Sequence, residues 1–266
     1  MQEMKIGFAG AGNMAEALIA GLIRAGHQSS HILVTDIREE RLQQLRQTYG
    51  VQTVPSNAVL SVDSDVLVLA VKPQQMQQVV KEMVGHVDAG TTVISIAAGI
   101  STETLEQWFK DQVSLVRVMP NTPCLVNEGM SVLFSKEDET HRRRAEYILT
   151  SSGKTAWVDD ENLLHAVTAI SGSGPAYFFL LAELMQVAAH SLGLPKDLAQ
   201  TLVKYTALGA GRMLVDSGKT PEELRQQVIS PGGTTQAAME TMFEADLPKT
   251  VRAAIAAAAK RSRELG

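Results

Sequence analysis

The residue pattern best suited to ligand binding near the start of the chain is Gly10-Ala11-Gly12-Asn13-Met14-Ala15, which fits G-x-G-x-x-A. It directly follows the apolar stretch Ile6-Gly7-Phe8-Ala9, which is typical of a buried strand, and it opens a helical pattern. In that setting the first glycine permits a tight turn and the second lets the backbone approach a pyrophosphate, while Ala15 lets the helix pack closely on the strand. The pattern therefore predicts that this strand–turn–helix unit binds a dinucleotide.

An acidic residue stands at the position where the ribose of a dinucleotide is usually recognised. Asp36 ends a second apolar stretch, about 20 residues beyond the glycine pattern. Its carboxylate would accept hydrogen bonds from a ribose 2′-hydroxyl and repel a 2′-phosphate, whereas Arg38 and Arg41 carry the bidentate groups that grip phosphate. The local sequence therefore leaves both NAD(H) and NADP(H) open. The alternative interpretation is an ordinary glycine turn, an Asp that caps the next helix and two solvated arginines.

Three further loops follow apolar stretches, and ligands of open α/β sheets bind beyond the carboxyl ends of such strands. They are Ala70-Val71-Lys72-Pro73, Ala97-Ala98-Gly99 and the Pro120-Asn121 turn. Lys72 as a solvated lysine and Asn121 as part of a rigid turn are the alternatives. The residues that we predict to bind the cofactor are Phe8, Gly10, Ala11, Gly12, Asn13, Met14, Asp36, Ala70, Val71, Lys72, Pro73, Ala97, Ala98, Gly99 and Asn121.

A second candidate site lies far along the chain, in Ser230-Pro231-Gly232-Gly233-Thr234-Thr235. Pro231 ends the helical pattern before it, and the two glycines permit backbone conformations that other residues resist. A helix resumes at about Gln236, so the loop feeds a helix N-terminus, where free N–H groups and the helix dipole favour an anion. The alternative is a plain N-cap formed by Thr234 or Thr235.

The composition is that of an ordinary globular protein of 266 residues, with one or two domains. The net charge is −5, and the basic clusters at 142–144 and 260–263 have acidic residues close by, so we expect no nucleic-acid partner. Cys124 is the single cysteine, which fits a reducing cytoplasm and excludes an internal disulfide. No stretch looks long and apolar enough to span a membrane, since Glu183, Gln186 and His190 interrupt the best one.

The order of the elements predicts the fold class. Short apolar runs near residues 6–9, 31–36, 51–54, 65–71, 91–97, 113–119, 130–134 and 155–158 alternate with helical patterns, which indicates an α/β Rossmann fold with a doubly wound, mostly parallel sheet. After about residue 160 only helical patterns remain. We therefore predict a dinucleotide-binding domain over residues 1–160 and an all-α domain over residues 161–266.

One helix of the second domain is apolar on all sides. Residues 176–184 include Tyr177, Phe178, Phe179, Leu180 and Leu181, which surround the helix instead of forming a stripe. A helix of this kind must be buried, and about a hundred helical residues have difficulty burying it alone. The pattern predicts an obligate homodimer that shares this helical core.

Taken together, these motifs resemble those of the pyrroline-5-carboxylate reductase family. The likeness runs nearly end to end, and its most specific part is the Ser-Pro-Gly-Gly-Thr-Thr stretch at 230–235. It implies a Rossmann domain, a helical dimerisation domain that also binds substrate, and the final step of proline biosynthesis. In that step NAD(P)H reduces the C=N bond of 1-pyrroline-5-carboxylate to L-proline. The family most often uses NADPH, but Asp36 departs from the residue types common there, so NAD(H) stays possible.

The resemblance also implies roles for the residues of the loop. The substrate's carboxylate would rest on backbone N–H groups of Ser230, Gly232, Gly233, Thr234 and Thr235. The Thr235 hydroxyl would lie beside the ring nitrogen, orient the imine and assist proton delivery, which makes Thr235 the expected catalytic residue. No metal is implied.

Two other functions compete with this one. A β-hydroxyacid dehydrogenase of the 3-hydroxyisobutyrate type shares the glycine pattern, but it needs a lysine on the helix after its second glycine-rich loop. Here the helix after Ser171-Gly172-Ser173-Gly174 begins Pro175-Ala176-Tyr177 and has no lysine in that stretch. A non-catalytic dinucleotide-binding sensor is the second competitor, because fold alone does not establish catalysis.

Overall fold

Apolar runs along the chain form one eight-stranded sheet in the structure, a computed structural model that describes residues 1–265. The strand order is β3-β2-β1-β4-β5-β6-β7-β8, and every pair is parallel except β6–β7. The prediction of a doubly wound, mostly parallel sheet is confirmed. The strands are β1 (Ile6–Ala9), β2 (Ile32–Thr35), β3 (Gln52–Thr53), β4 (Val66–Leu69), β5 (Thr92–Ser95), β6 (Ser114–Met119), β7 (Gly129–Phe134) and β8 (Gly153–Trp157).

The helices within the described residues are α1 (Asn13–Arg24), α2 (Glu39–Tyr49), α3 (Asn57–Val62), α4 (Pro73–Met83), α5 (Thr102–Phe109), α6 (Glu139–Thr150), α7 (Leu163–Val167), α8 (Gly174–Ser191), α9 (Lys196–Asp216), α10 (Pro221–Gln227), α11 (Thr234–Glu244) and α12 (Leu247–Glu264). A π-helical turn, Thr168–Gly172, follows α7. Helices lie on both faces of the sheet because its strands are apolar on both faces.

Alternate residues of the central strands belong to two different cores. On β4, Val66 and Val68 pack with α1, α2 and α6, whereas Leu67 and Leu69 pack with α3, α4 and α5. This is the period-two alternation of a pleated strand with apolar side chains on both faces. The four residues of each of β1, β2, β4 and β5 are buried.

The chain forms two compact units. One comprises Met1–Ser173 together with the chain end from Ala258, and the other comprises Gly174–Ala257. The first unit includes α7, whose Leu164 is buried against Val132 and Phe134 of β7. The predicted domain division at residue 160 stays a prediction, since the compactness of the chain does not by itself define family domains.

The helical unit leaves a large apolar surface uncovered by its own chain. Although α8 packs against α9, the side chains of Phe178 and Phe179 are each 68% exposed, and Val187 is 61% exposed. Exposed apolar area on this scale marks an interaction surface.

The helical run Leu163–Ser191 is also long and apolar enough to cross a membrane, by length and composition only. Our expectation that no segment meets that criterion was therefore wrong: Glu183, Gln186 and His190 do not lower its hydropathy enough.

An ion pair between buried Arg117 and partly buried Glu161 holds the start of α5 and the segment before α7 to the sheet. Arg117 of β6 donates from Nη1 to Glu161 Oε1 over 2.7 Å, and Thr102 donates to the same carboxylate through its N–H at 2.8 Å and its hydroxyl at 2.7 Å. Burial alone would raise the pKa of Glu161, but the hydrogen bonds from Arg117 and Thr102 outweigh it and hold that pKa below the ordinary 4.5. The carboxylate thus stabilises the fold in its charged form.

The depressed pKa gives this contribution a definite pH dependence. It is fully present above pH 4.5, the ordinary pKa of a glutamate, and it is lost as the pH falls through the lower pKa of the folded state. We expect Glu161→Gln to lower the free energy of unfolding at pH 7 by on the order of 2 kcal/mol, less than for a fully buried pair because Glu161 is partly exposed. The loss should shrink at pH 3, as measured by urea unfolding at fixed protein concentration.

Glu139→Gln is the matched control for this measurement. Glu139 pairs with Arg143 one turn along α6, and both side chains are more than 65% exposed. Such a surface pair contributes about 0.5 kcal/mol or less. An equal loss for Glu161→Gln at both pH values would contradict the assigned role of the charge.

Candidate active site

The turn after β1 needs a glycine at its first position. Gly10 has a φ of +102°, and a Cβ placed on it would lie 2.7 Å from the carbonyl oxygen of Ala70, at the end of β4. The Gly10 N–H donates to the carbonyl oxygen of Thr35 over 2.8 Å. Both the backbone conformation and the close approach to β4 therefore exclude a side chain at this position.

The second glycine of the pattern faces open space. Gly12 is the N-cap of α1, and a Cβ placed on it would meet no atom within 4 Å. No side chain caps α1 at its N-terminus, so the N–H groups of its first turn are available to a ligand. A phosphate group fits this site because backbone N–H groups and the positive end of the helix dipole both favour an anion.

The glycine turn forms one wall of a cleft of about 900 Å³. Seven of the predicted cofactor residues line it: Gly10, Gly12, Asn13, Asp36, Ala70, Val71 and Lys72. A second wall comes from the loop after β3, the first residue of α3, and α4, and the motifs in the sequence did not indicate it. Its residues are Pro55, Ser56, Asn57, Gln74, Gln75, Gln78, Val79 and Glu82. One signal was present in the sequence, because Ser56 after a short strand is a typical N-cap, and its hydroxyl accepts the N–H of Val59.

Asn57 and Gln78 are joined across this second wall by a carboxylate. Asn57 Nδ2 donates to Glu82 Oε2 over 2.7 Å, and Gln78 Nε2 donates to Glu82 Oε1 over 2.9 Å. These bonds lower the pKa of Glu82 from its ordinary value. Polar side chains on this wall are therefore held in place before any ligand binds.

Several other predicted cofactor residues do not line the cleft. The side chains of Phe8 and Ala97 are buried in the two cores, so only their backbone could face a ligand. Gly99 has a φ of +84° and packs against the backbone of Leu265. Asn121 bonds within the protein, since it donates to the Ser171 carbonyl over 3.2 Å and accepts the Met130 N–H over 2.8 Å. These internal hydrogen bonds match the alternative interpretation, in which Asn121 is part of a rigid turn.

Four other predicted residues also do not line the cleft. The Ala11 backbone lies between charged side chains: its N–H donates to Asp36 and its carbonyl oxygen accepts from Arg41. Pro73 is the first residue of α4, where its missing N–H costs nothing. Met14 and Ala98 are partly exposed and do not line the cleft.

Asp36 is fully engaged in hydrogen bonds. Its Oδ2 accepts the Ala11 N–H over 2.7 Å, and its Oδ1 accepts the Arg38 N–H over 2.9 Å and Arg38 Nε over 3.0 Å. Burial alone would raise the pKa of Asp36, but the bonds from Arg38 and Ala11 outweigh it and hold that pKa below its ordinary value. The carboxylate is thus a charged group whose side chain is only 8% exposed.

The two arginines beyond Asp36 differ in their availability. Arg41 donates to the Ala11 carbonyl over 2.8 Å and to Glu16 over 2.5 Å, and its side chain is 17% exposed. Arg38 covers Asp36 and remains 57% exposed in the cleft. Of the two, Arg38 therefore has the guanidinium that a ligand can reach.

The second candidate site is the loop between α10 and α11. Gly232 has a φ of +70°, Gly233 is the N-cap of α11, and the Gly233 N–H donates to the Ser230 carbonyl over 2.9 Å. No side chain caps α11, so the alternative in which Thr234 or Thr235 forms the cap was wrong: the helix begins at Thr234 itself. The N–H groups of the first helical turn are thus open to a ligand.

In the glycine-rich loop at Ser171–Gly174, the structure shows a packing role for Gly172. Gly172 lies at the end of the π-helical turn, and a Cβ on it would clash with the side chain of Met119. This glycine therefore permits close packing. Within residues 1–265, no group of three or more His, Cys, Asp or Glu residues is placed to hold a metal ion.

Known proteins resemble this chain over its whole length. A family model described as pyrroline-5-carboxylate reductase dimerisation matches residues 161–265, and one described as NADP oxidoreductase coenzyme F420-dependent matches residues 5–99. A pyrroline-5-carboxylate reductase of Pseudomonas aeruginosa is 40% identical over 267 residues, covering 100% of this chain and 98% of the relative.

Solved structures agree with the sequence comparison. A pyrroline-5-carboxylate reductase from Coxiella burnetii is 38% identical, with a TM-score of 0.91 and 99% of each chain covered. A pyrroline carboxylate reductase from Plasmodium falciparum, solved with NADP bound, is 29% identical, with a TM-score of 0.89 over 100% of this chain and 99% of that one. The resemblance seen in the sequence is thus confirmed, and the chain belongs to the pyrroline-5-carboxylate reductase family.

Proposed function

We propose that this chain reduces the C=N bond of 1-pyrroline-5-carboxylate with NAD(P)H and forms L-proline, the last step of proline biosynthesis. The observation that carries the proposal is full-length similarity to pyrroline-5-carboxylate reductases, at 40% identity to that of Pseudomonas aeruginosa. Two structural features support it: a cleft with a glycine turn and open helix N–H groups, and a second open helix start at Thr234. The single cysteine supports a cytoplasmic location.

The cleft suits a nicotinamide dinucleotide. The N–H groups at the start of α1 would hold the pyrophosphate, with Gly12 leaving the space, and Asp36 and Arg38 would face the adenosine ribose. Lys72, Val71 and Ala70, at the carboxyl end of β4, would contact the rest of the cofactor. When bound, the reduced nicotinamide supplies the hydride. The solved relative with NADP bound favours NADP(H) for this chain.

The loop before α11 suits the substrate. Open N–H groups at the helix start would hold the carboxylate and so orient one face of the ring. Within residues 1–265 the Thr235 hydroxyl makes no hydrogen bond, so it is free to bond the ring nitrogen and to pass a proton to that atom. Imine reduction needs no further proton donor from the protein, since the imine can also take its proton from solvent.

The direct test is oxidation of NADPH and NADH by the purified protein with and without 1-pyrroline-5-carboxylate. Turnover that depends on the imine supports the proposal. Binding of the dinucleotide without turnover would favour the non-catalytic sensor. Turnover with a 3-hydroxy acid and NAD⁺ instead would favour the β-hydroxyacid dehydrogenase.

The proposed role of Thr235 predicts a selective loss. Thr235→Ala should lower kcat by about 10- to 100-fold, because the hydroxyl that orients and protonates the imine is gone, while KM for NADPH changes less than about twofold. Thr235→Ser should recover most of the activity. Thr241→Ala is the matched control, since the Thr241 hydroxyl on the same helix donates only to the Ala237 carbonyl. Unchanged steady-state kinetics of Thr235→Ala would remove the role.

Asp36 is expected to set the cofactor preference. Asp36→Ser removes the negative charge beside the 2′-position and releases the Arg38 guanidinium that now pairs with it. The ratio of kcat/KM for NADPH to that for NADH should rise about tenfold. Asp88→Ser, at an exposed position, is the control. An unchanged ratio of kcat/KM for the two cofactors would mean that Asp36 does not recognise the ribose.

We also propose that the helical unit forms a homodimer through its exposed apolar helices. The match to a dimerisation family model over residues 161–265 and the exposure of Phe178 and Phe179 support this.

Phe179→Asp should shift the protein from dimer to monomer in sedimentation analysis at micromolar concentration, because it places a charge in the buried contact. Val62→Asp, a change at a 63% exposed position of α3, should not. A wild-type monomer under these conditions would contradict the proposal.

A further inference from the structure

One side chain of α11 reaches back to the loop that precedes the helix. Gln236 Oε1 accepts the N–H of Gly232 over 2.8 Å, and Gly232 has the left-handed φ of +70°. The bond therefore links a residue in a left-handed backbone conformation to the first turn of the helix. Only glycine adopts this conformation without strain, so the bond also selects one of the many conformations open to it.

The orientation of the Gln236 amide follows from its second partner. Its Nε2 donates to Glu240 Oε1 over 2.8 Å, one turn further along α11. A carboxylate accepts and cannot donate in its charged form, so it must face the NH₂ group, and the amide oxygen must then face Gly232. The chain Gly232–Gln236–Glu240 is thus a directed series of two hydrogen bonds.

This bond reduces the number of N–H groups in the loop that are open to a ligand. The Gly232 N–H is occupied by Gln236, and the Gly233 N–H is occupied by the Ser230 carbonyl. The first N–H of α11 to bond within the backbone is that of Ala237, to the Gly233 carbonyl over 3.3 Å. Within residues 1–265, the N–H groups of Thr234, Thr235 and Gln236 are therefore the open donors of this segment.

We infer that Gln236 is a positioning residue for the carboxylate of the substrate. By holding the Gly232 N–H, it keeps the loop folded away from the helix start and confines the carboxylate to the N–H groups of the first helical turn. This inference rests on the proposed function, in which that carboxylate binds here. It also gives a chemical reason for a neutral amide: a glutamate would offer the same acceptor to Gly232 but add a charge beside Glu240 and beside the substrate.

The test compares Gln236→Met with the wild type in the full-length protein. Methionine keeps the length of the side chain but has no strong acceptor for Gly232. We expect KM for 1-pyrroline-5-carboxylate to rise about threefold to tenfold, the effect of losing one neutral hydrogen bond. KM for NADPH should stay within about twofold, and backbone hydrogen exchange of a peptide that contains Gly232 should become faster.

Two further variants make the result specific. Gln226→Met, on α10, is the matched control, since the Gln226 side chain also donates to a glutamate one turn away and, within residues 1–265, makes no hydrogen bond to the loop. It should leave both KM values unchanged. Gln236→Glu should keep the slow exchange of Gly232, and its KM for the imine should approach the wild-type value as salt screens the added charge.

The outcomes separate the two proposals. A wild type that does not reduce the imine would remove the proposed function and this inference with it. A wild type that does reduce it, together with a Gln236→Met variant whose KM for the imine is unchanged, would overturn the inference alone. A rise of both KM values by the same factor would also overturn it, because that pattern indicates a general structural defect.

Discussion

The cofactor cleft depends on a reversal of strand order at β1. From β1 the chain builds β2 and β3 on one side, and it then returns to add β4 and β5 on the other. Because parallel crossovers are right-handed, this reversal sends α1 and α2 to one face of the sheet and α4 and α5 to the other. The loops after β1 and β4 therefore diverge, and a cleft opens between them at the carboxyl ends of the strands.

Close packing at that point sets the residue types. The backbone of the β1 turn approaches the Ala70 carbonyl so closely that Gly10 is required, whereas a Cβ at Gly12 would meet no protein atom within 4 Å. The two glycines thus differ: Gly10 is required by the packing of the protein itself, and Gly12 faces open space at the start of α1. Ala15 is fully buried beneath them, where a larger side chain would push α1 off the sheet.

Charge in the cleft is balanced within the protein before a ligand enters. Asp36 is compensated by Arg38 and by two backbone N–H groups, and Arg41 is compensated by Glu16. Under the proposed function, a cofactor with a 2′-phosphate would meet the exposed Arg38 guanidinium, and one with a free hydroxyl would meet the Asp36 carboxylate. The sequence order of these residues suggested both cofactors, and only the contacts distinguish the available arginine from the engaged one.

The helical unit follows a different constraint. Its helices are apolar over more of their surface than neighbours in the same chain cover, and its largest side chains remain exposed. Membership of a family with a dimerisation domain explains this composition, since a second copy would cover what one chain cannot.

The sequence alone determined the fold class, the glycine turn, the loop at 230–235 and the resemblance to the family. These are local patterns: apolar periodicity, turn chemistry and helix starts depend on neighbouring residues along the chain. The tertiary structure decided which side chains share a site. It added the α4 wall of the cleft, occupied Asn121 and Arg41 with partners inside the protein, and made Gly233 the cap of α11. The partners of Asn121 and Arg41 depend on contacts between segments that lie apart in the chain, such as Asn121 with Ser171 and Arg41 with Glu16, whose geometry no local pattern contains.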